Sequence, residues 1–119
     1  MSTDGKNSKL QLVQGDPFAP EMTVSDMNFQ SGPSPSLAAS NNRTVIVATD
    51  GNGEMFYDWW DFGGGGHGWV PLGAELKTQV SPAVALVDNG NYMFVLASDA
   101  NGKILLNQGQ VGGALVGWR

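Results

Sequence analysis

Residues 44–61 read TVIVATDGNGEMFYDWWD, two runs of β-branched and aromatic residues joined by Gly-Asn-Gly. Such runs favour β-strands, and an Asn-Gly step between them is typical of a tight hairpin turn. The pattern returns at residues 93–108 as MFVLASDANGKILLNQ, with ATDGNGE lying 49 residues before ASDANGK. The sequence therefore predicts two antiparallel hairpins that belong to one internal repeat.

The repeat extends beyond the hairpins. SPSLA, from Ser34, matches SPAVA 47 residues later, and Gly68-Trp69 recurs 49 residues later. The segment from Thr3, TDGKNSKLQLVQ, also resembles TDGNGEMFYDWW. Internal periods of about 40 to 50 residues are typical of propellers and solenoids.

Each full unit supplies four short strands, and no stretch shows a sustained helical spacing of apolar residues. The sequence predicts an all-β fold: a β-propeller of four-stranded antiparallel blades, about two and a half blades per chain. We expect a single domain over 1–119, with a half blade at 1–33, a full blade at 34–80 and a full or nearly full blade at 81–119. An open stack would leave unpaired edges and an uncovered apolar face. We therefore expect homo-oligomerisation to close the ring, for example as a dimer of about five blades.

Composition excludes several classes of function. The 119 residues suffice for one domain, and the 41% of hydrophobic residues can form a core although only 14% are charged. A net charge of −5, with only two arginines, argues against nucleic acid as a partner. The absence of cysteine excludes disulfides, thiolate metal sites and a cysteine nucleophile. No apolar run approaches the roughly 18 residues of a membrane span, and the start of the chain lacks the apolar core of a signal peptide.

Other motifs point to no catalysis, metal or cofactor. Residues 63–68 match G-x-G-x-x-G, but a strand follows where a dinucleotide site needs a helix. Asp50, Asn52 and Glu54 partly trace a calcium loop, yet the repeat has Lys103 in place of Glu54 and a hairpin turn explains the pattern better. One histidine without a nucleophile elbow gives no catalytic triad, and two separated arginines do not form the cluster of a sialidase-like enzyme.

The middle unit resembles a repeat of the bacterial PLL-like propeller lectins. The motifs that carry the resemblance lie within residues 52–86: NGEMFYDWWD, GGGGHGW, PLGAEL and VSPAVAL. The resemblance implies a propeller whose repeats bind fucose-type or related sugars between adjacent blades. The C-terminal unit has KILLNQGQ where the middle unit has EMFYDWWD, so we expect at most one well-formed site per chain.

The candidate ligand-binding residues are aromatic or polar and lie close together in the sequence: Tyr57, Asp58, Trp59, Trp60, His67 and Trp69. A sugar offers an apolar C–H face and a rim of hydroxyls, which suit an aromatic plate with fixed polar groups around it. Strand alternation places Tyr57 and Trp59 on one face and Asp58 and Trp60 on the other. We therefore expect one tryptophan to pack between blades and the other to contact ligand.

Plain packing or solvation competes with this hypothesis. Trp69 has a repeat equivalent in Trp118, as expected for residues that pack a blade, and His67 lies in a Gly-rich loop. The carboxylates of Glu54 and Asp58 are expected at exposed strand positions, which favours solvation over a glycosidase pair.

The favoured function is a multivalent carbohydrate-binding lectin without enzymatic activity. Two alternatives stay open: a non-catalytic propeller scaffold that binds protein or assembles without a sugar site, and an excised or engineered propeller fragment that self-assembles.

Overall fold

The computed structural model describes residues 2–3, 9–12, 22–28, 35–61, 66–73, 75–78 and 80–119. In these ranges the chain forms β-strands and a single short 3₁₀ turn, Asp88–Gly90. The strands are β1 (Ser2–Thr3), β2 (Lys9–Leu12), β3 (Met22–Asn28), β4 (Ser36–Ala39), β5 (Arg43–Thr49), β6 (Met55–Asp61), β7 (Val70–Pro71), β8 (Ala83–Val87), β9 (Tyr92–Ser98) and β10 (Ile104–Gln110). The prediction of an all-β fold is confirmed. Within the same ranges no helix is long and apolar enough to cross a membrane.

The strands form three antiparallel sheets. The N-terminal sheet has the order β1-β2-β3, the middle sheet β4-β5-β6-β7 and the C-terminal sheet β8-β9-β10. Strands that follow one another in the chain are neighbours in each sheet, so each sheet is an up-and-down meander. The middle sheet has the four strands that the sequence predicts for a full unit.

The hairpin turns of the middle and C-terminal sheets are built alike. Asp50 Oδ1 accepts hydrogen bonds from two backbone N–H groups of its turn, at 2.9 and 3.0 Å. Asp99 Oδ1 does the same 49 residues later, at 2.9 Å each. These carboxylates replace backbone partners inside the turn. The predicted hairpin turn is confirmed at both sequences.

The sequence repeat is also present in the backbone hydrogen bonds. Tyr57 on β6 pairs with Val70 on β7. Leu106 and Arg119, each 49 residues further on, exchange N–H···O=C bonds of 2.9 and 3.0 Å. The segment before Arg119 therefore runs beside β10 as β7 runs beside β6. The N-terminal sheet follows the same order of strands as β5-β6-β7.

The hydrophobic core lies in the junction between the middle and C-terminal sheets. Its side chains are at most 9% exposed and come from both sheets, the segment that links them and the residue after β10: Val45, Val47, Met55, Tyr57, Leu72, Leu76, Met93, Val95, Ala97 and Val111. Burial of apolar area on this scale is the main force that holds two sheets together.

The two sheets meet head to tail. Val45 and Tyr57 represent the face that the middle sheet turns toward the junction. Their equivalents 49 residues later are Phe94 and Leu106, and strand alternation places these on the side of the C-terminal sheet opposite Val95. The face buried by the middle sheet is therefore the outer face of the C-terminal sheet, the side that points away from the junction.

Candidate functional site

A buried carboxylate fixes the loop between β6 and β7. Asp58 is 5% exposed, and its Oδ1 accepts the backbone N–H groups of Trp59 at 2.7 Å and of His67 and Gly68 at 3.1 Å. A Cβ at Gly66 would stand 2.8 Å from Asp58 Oδ2, so this close approach requires glycine. The carboxylate thus sets the position of His67 relative to Trp59.

The His67 ring stacks on the indole of Trp59. The ring centroids are 3.5 Å apart and the planes differ by 7°. His67 Nδ1–H donates to the Trp59 carbonyl oxygen at 2.7 Å. In a neutral imidazole this bond leaves Nε2 as an acceptor. Because His67 is exposed, its ring offers this acceptor at the protein surface.

Arg43 approaches the same indole from the neighbouring strand β5. Its guanidinium carbon lies 4.5 Å from the Trp59 ring centroid, which is within cation–π range. Its Nε donates to Asp61 Oδ1 at 3.0 Å, and its Nη1 donates to the Gly90 carbonyl at 3.0 Å. The Asp61 side chain is 53% exposed, so solvent screens this ion pair and its main effect is to orient the guanidinium.

We call Arg43, Trp59, Asp61 and His67 the Trp59 cluster. It lies at the edge of the junction, since Arg43 reaches the carbonyl of Gly90, a residue of the C-terminal unit. Trp59 also abuts that unit: a Cβ at Gly112 would stand 2.5 Å from Trp59 Cζ2.

The structure separates the predicted site residues into two groups. Trp59 and His67 come together at the surface, with the indole partly buried and the imidazole exposed. Tyr57 is fully buried and its hydroxyl accepts the Gly112 N–H at 3.0 Å, so it lies beneath the cluster.

The other predicted site residues, Trp60, Trp69 and Asp58, are buried or partly buried. Trp60 is 7% exposed on the opposite face of β6, which confirms that one tryptophan of the pair packs inside. Trp69 is partly buried just before β7. The expectation that Asp58 occupies an exposed strand position is wrong. The loop between β6 and β7 donates backbone hydrogen bonds to its carboxylate and covers it.

The sequence alone does not place Arg43 at this site, whereas Asp61 belongs to the same stretch of aromatic and polar residues as Trp59. The signal that finds them is the register of the hairpin. The turn closes at the pair Thr49 and Met55, and counting outward residue by residue pairs Arg43 with Asp61. Opposite charges at directly paired positions on one face, beside an aromatic residue, predict a polar rim next to that ring.

The C-terminal unit lacks an equivalent cluster. The positions 49 residues after Arg43, Trp59, Asp61 and His67 hold Tyr92, Gln108, Gln110 and Val116. There the Tyr92 hydroxyl donates to Gln108 Oε1 at 3.4 Å, and the position of the stacked histidine is aliphatic. The expectation that the aromatic platform is lost in this unit agrees with these residues.

The polar atoms of the cluster are suited to hydrogen bonding with a neutral ligand. Arg43 Nη2 and Asp61 Oδ2 have no hydrogen-bond partner among the residues that the structure describes, and His67 contributes its Nε2 acceptor. One donor group and two acceptors thus surround a stacked pair of rings. Over the described ranges no three His, Cys, Asp or Glu side chains are grouped so as to hold a metal ion.

Neither the family models nor the curated proteins compared with the chain match it.

Proposed function

We propose that the chain is a carbohydrate-binding protein, a lectin, that binds a sugar at the Trp59 cluster. The observation that carries the proposal is the convergence of Arg43, Asp61 and His67 on a partly exposed indole at the edge of the junction. We propose no catalytic activity, and glycans of the fucose type are the ligands that the resemblance to the PLL-like lectins implies.

The proposal includes the propeller architecture, with the middle and C-terminal sheets as adjacent blades. Head-to-tail packing supports it, because each blade of a propeller applies the same face to the next one. The first strands of the two units, β4 and β8, also lie side by side, where the Ser36 hydroxyl donates to the Pro82 carbonyl. The site then lies between blades.

The chemistry of a sugar explains why these residue types would be needed. A pyranose buries its C–H face on an aromatic ring and keeps its hydroxyls bonded to groups around that ring. His67 Nε2 and Asp61 Oδ2 accept from hydroxyl protons, and Arg43 Nη2 donates to hydroxyl oxygens. A neutral ligand suits the cluster, since its one cation is already paired with its one anion.

A glycan array with the purified protein tests the proposal. We expect selective binding that falls at least about tenfold in Trp59→Leu, because the variant loses the indole that holds the His67 ring and the Arg43 guanidinium in place. In His67→Ala we expect a loss of about fivefold, the equivalent of one hydrogen bond. Circular dichroism and thermal unfolding of each variant establish that the fold is retained.

The repeat supplies matched controls for both variants. Gln108→Leu and Val116→Ala change the equivalent positions of the C-terminal unit and are expected to leave glycan binding unchanged. If the folded protein binds no glycan, or if binding survives Trp59→Leu and His67→Ala, the proposed site is wrong. A folded protein without glycan binding would favour the propeller scaffold instead.

A further inference from the structure

The outer face of the C-terminal sheet is an apolar surface left open to solvent. Ile104 on β10 is 70% exposed and Leu96 on β9 is 45% exposed. Phe94 and Leu106 are partly buried beside them, and Val87 extends the surface across β8 with 45% exposure. Contiguous exposed apolar surface of this kind marks an interaction site more often than it marks ordinary protein surface.

The equivalent positions of the middle unit are buried in the junction. Val47 and Met55, which lie 49 residues before Leu96 and Ile104, are both 0% exposed. They are covered by the C-terminal sheet and by the linking segment that holds Leu72. The same repeat position is therefore a sheet-packing position in one unit and an open position in the other.

Within β8, β9 and β10 the outer face carries no charged side chain, and the exposed Arg119, which pairs with Leu106, adds one cation at its edge. Throughout β8, β9 and β10, all of which the structure describes, the residues on this side are apolar or neutral: Ala83, Ala85, Val87, Tyr92, Phe94, Leu96, Ser98, Ile104, Leu106, Gln108 and Gln110. The chain as a whole has a net charge of −5. A surface without carboxylates is where two copies of such an acidic chain approach with the least repulsion.

We infer that the outer face binds a second copy of this chain by sheet-on-sheet packing. The interface continues the in-chain junction: it uses the same repeat positions, occupied by side chains of the same apolar kind. A partner selected by charge is disfavoured, because the strands β8, β9 and β10 offer no charged side chain on this face and Arg119 stands only at its edge. The inference does not depend on sugar binding, since the Trp59 cluster lies on the other side of the C-terminal sheet, at the edge of the junction.

Sedimentation velocity over a wide range of protein concentration tests the inference. The unmodified protein is expected to self-associate, and Ile104→Lys is expected to remain monomeric over the same range, because it places a charge at the most exposed apolar residue of the face. Ile104 is mostly exposed in the single chain, so the fold tolerates the change; thermal unfolding of the dilute variant checks this.

Two controls separate charge from position. Ile104→Val keeps the apolar surface and should keep association. Asn101→Lys adds the same charge on the exposed hairpin turn beside the face and should also keep it. A monomeric unmodified protein at every concentration overturns the inference, and so does an Ile104→Lys variant that associates as the unmodified protein does.

A cysteine probe locates the interface directly. The chain contains no cysteine, so Leu96→Cys introduces a single thiol on the outer face. Its rate of alkylation should fall as protein concentration rises through the association range. A cysteine in place of Asn101 on the turn should react at the same rate throughout. Equal behaviour of the two thiols would place the contact elsewhere and contradict the inference.

Discussion

Asp58 and Asn107 hold equivalent positions in the two units and perform the same task. Asn107 Oδ1 accepts the N–H groups of Gln108 and Gly117 at 2.9 and 3.0 Å, as Asp58 does for its own loop. The Asn107 amide also donates to the Leu72 carbonyl at 3.1 Å, which ties the C-terminal sheet to the linking segment. The task therefore needs a side-chain carbonyl oxygen and no negative charge.

This comparison predicts that Asp58→Asn retains stability while Asp58→Ala does not. The amide keeps an acceptor for the three N–H groups. Alanine removes the acceptor of the Trp59 and Gly68 N–H groups, at a cost of about 1–3 kcal/mol for a donor left without a partner, while the His67 N–H keeps its bond to the Trp59 carbonyl. Urea unfolding of the two variants measures the difference. Equal destabilisation by both would show that the charge matters, and no loss in Asp58→Ala would show that the loop finds other partners.

At the scale of single residues, strand alternation in the sequence predicts which side chains of a strand share a face. A period of two separates Trp59 from Trp60, and their burial follows it. It does not predict that Arg43 lies beside Trp59. The guanidinium is held there by the Gly90 carbonyl, 47 residues away, and that contact exists only once the two sheets have packed.

The loops differ from the strands in how far local sequence determines them. Both Asp-x-Asn-Gly turns are predictable, because their hydrogen bonds are made within five residues. The conformation of the loop around Gly112 is not predictable in this way, because it depends on contact with the Trp59 ring, which is far away in the sequence. Gly112 has a φ of 77°, and a Cβ there would overlap the Trp59 indole of the other unit.

We predict that Gly112→Ala displaces Trp59 and destabilises the chain. A left-handed φ costs a non-glycine residue about 1–2 kcal/mol, and the contact with Cζ2 adds to this. Gly102→Ala is the matched control: its φ is 82° and nothing lies within 4 Å of the added carbon. Urea unfolding and tryptophan emission should therefore change more in Gly112→Ala. Equal effects of the two variants would mean that the ring does not constrain the loop.

On the scale of the whole molecule, repeat spacing predicts that the chain contains similar sheets but not how they meet. Each strand has two faces, and in the middle sheet both are buried: Val45 and Val47 on one side, Ile46 and Ala48 on the other. The order of apolar and polar residues in the sequence therefore does not show which face of the sheet packs against the next sheet. The head-to-tail packing depends on how the side chains of two sheets fit together in the space between them. A single sequence does not contain this information in a readable form.

The shared core predicts that the middle and C-terminal sheets unfold together. Met93 belongs to the C-terminal sheet and is 0% exposed in the junction, so Met93→Ala should destabilise the chain by about 2–5 kcal/mol. Three of the four tryptophans lie in the middle unit, and their fluorescence should shift to lower urea together with the circular dichroism of all strands. Leu37→Ala, at a position of the middle sheet that is 44% exposed, should have a much smaller effect on both signals. A fluorescence transition that stays in place in Met93→Ala, while the circular dichroism shifts, would show that the two sheets are independent and that the junction is not one core.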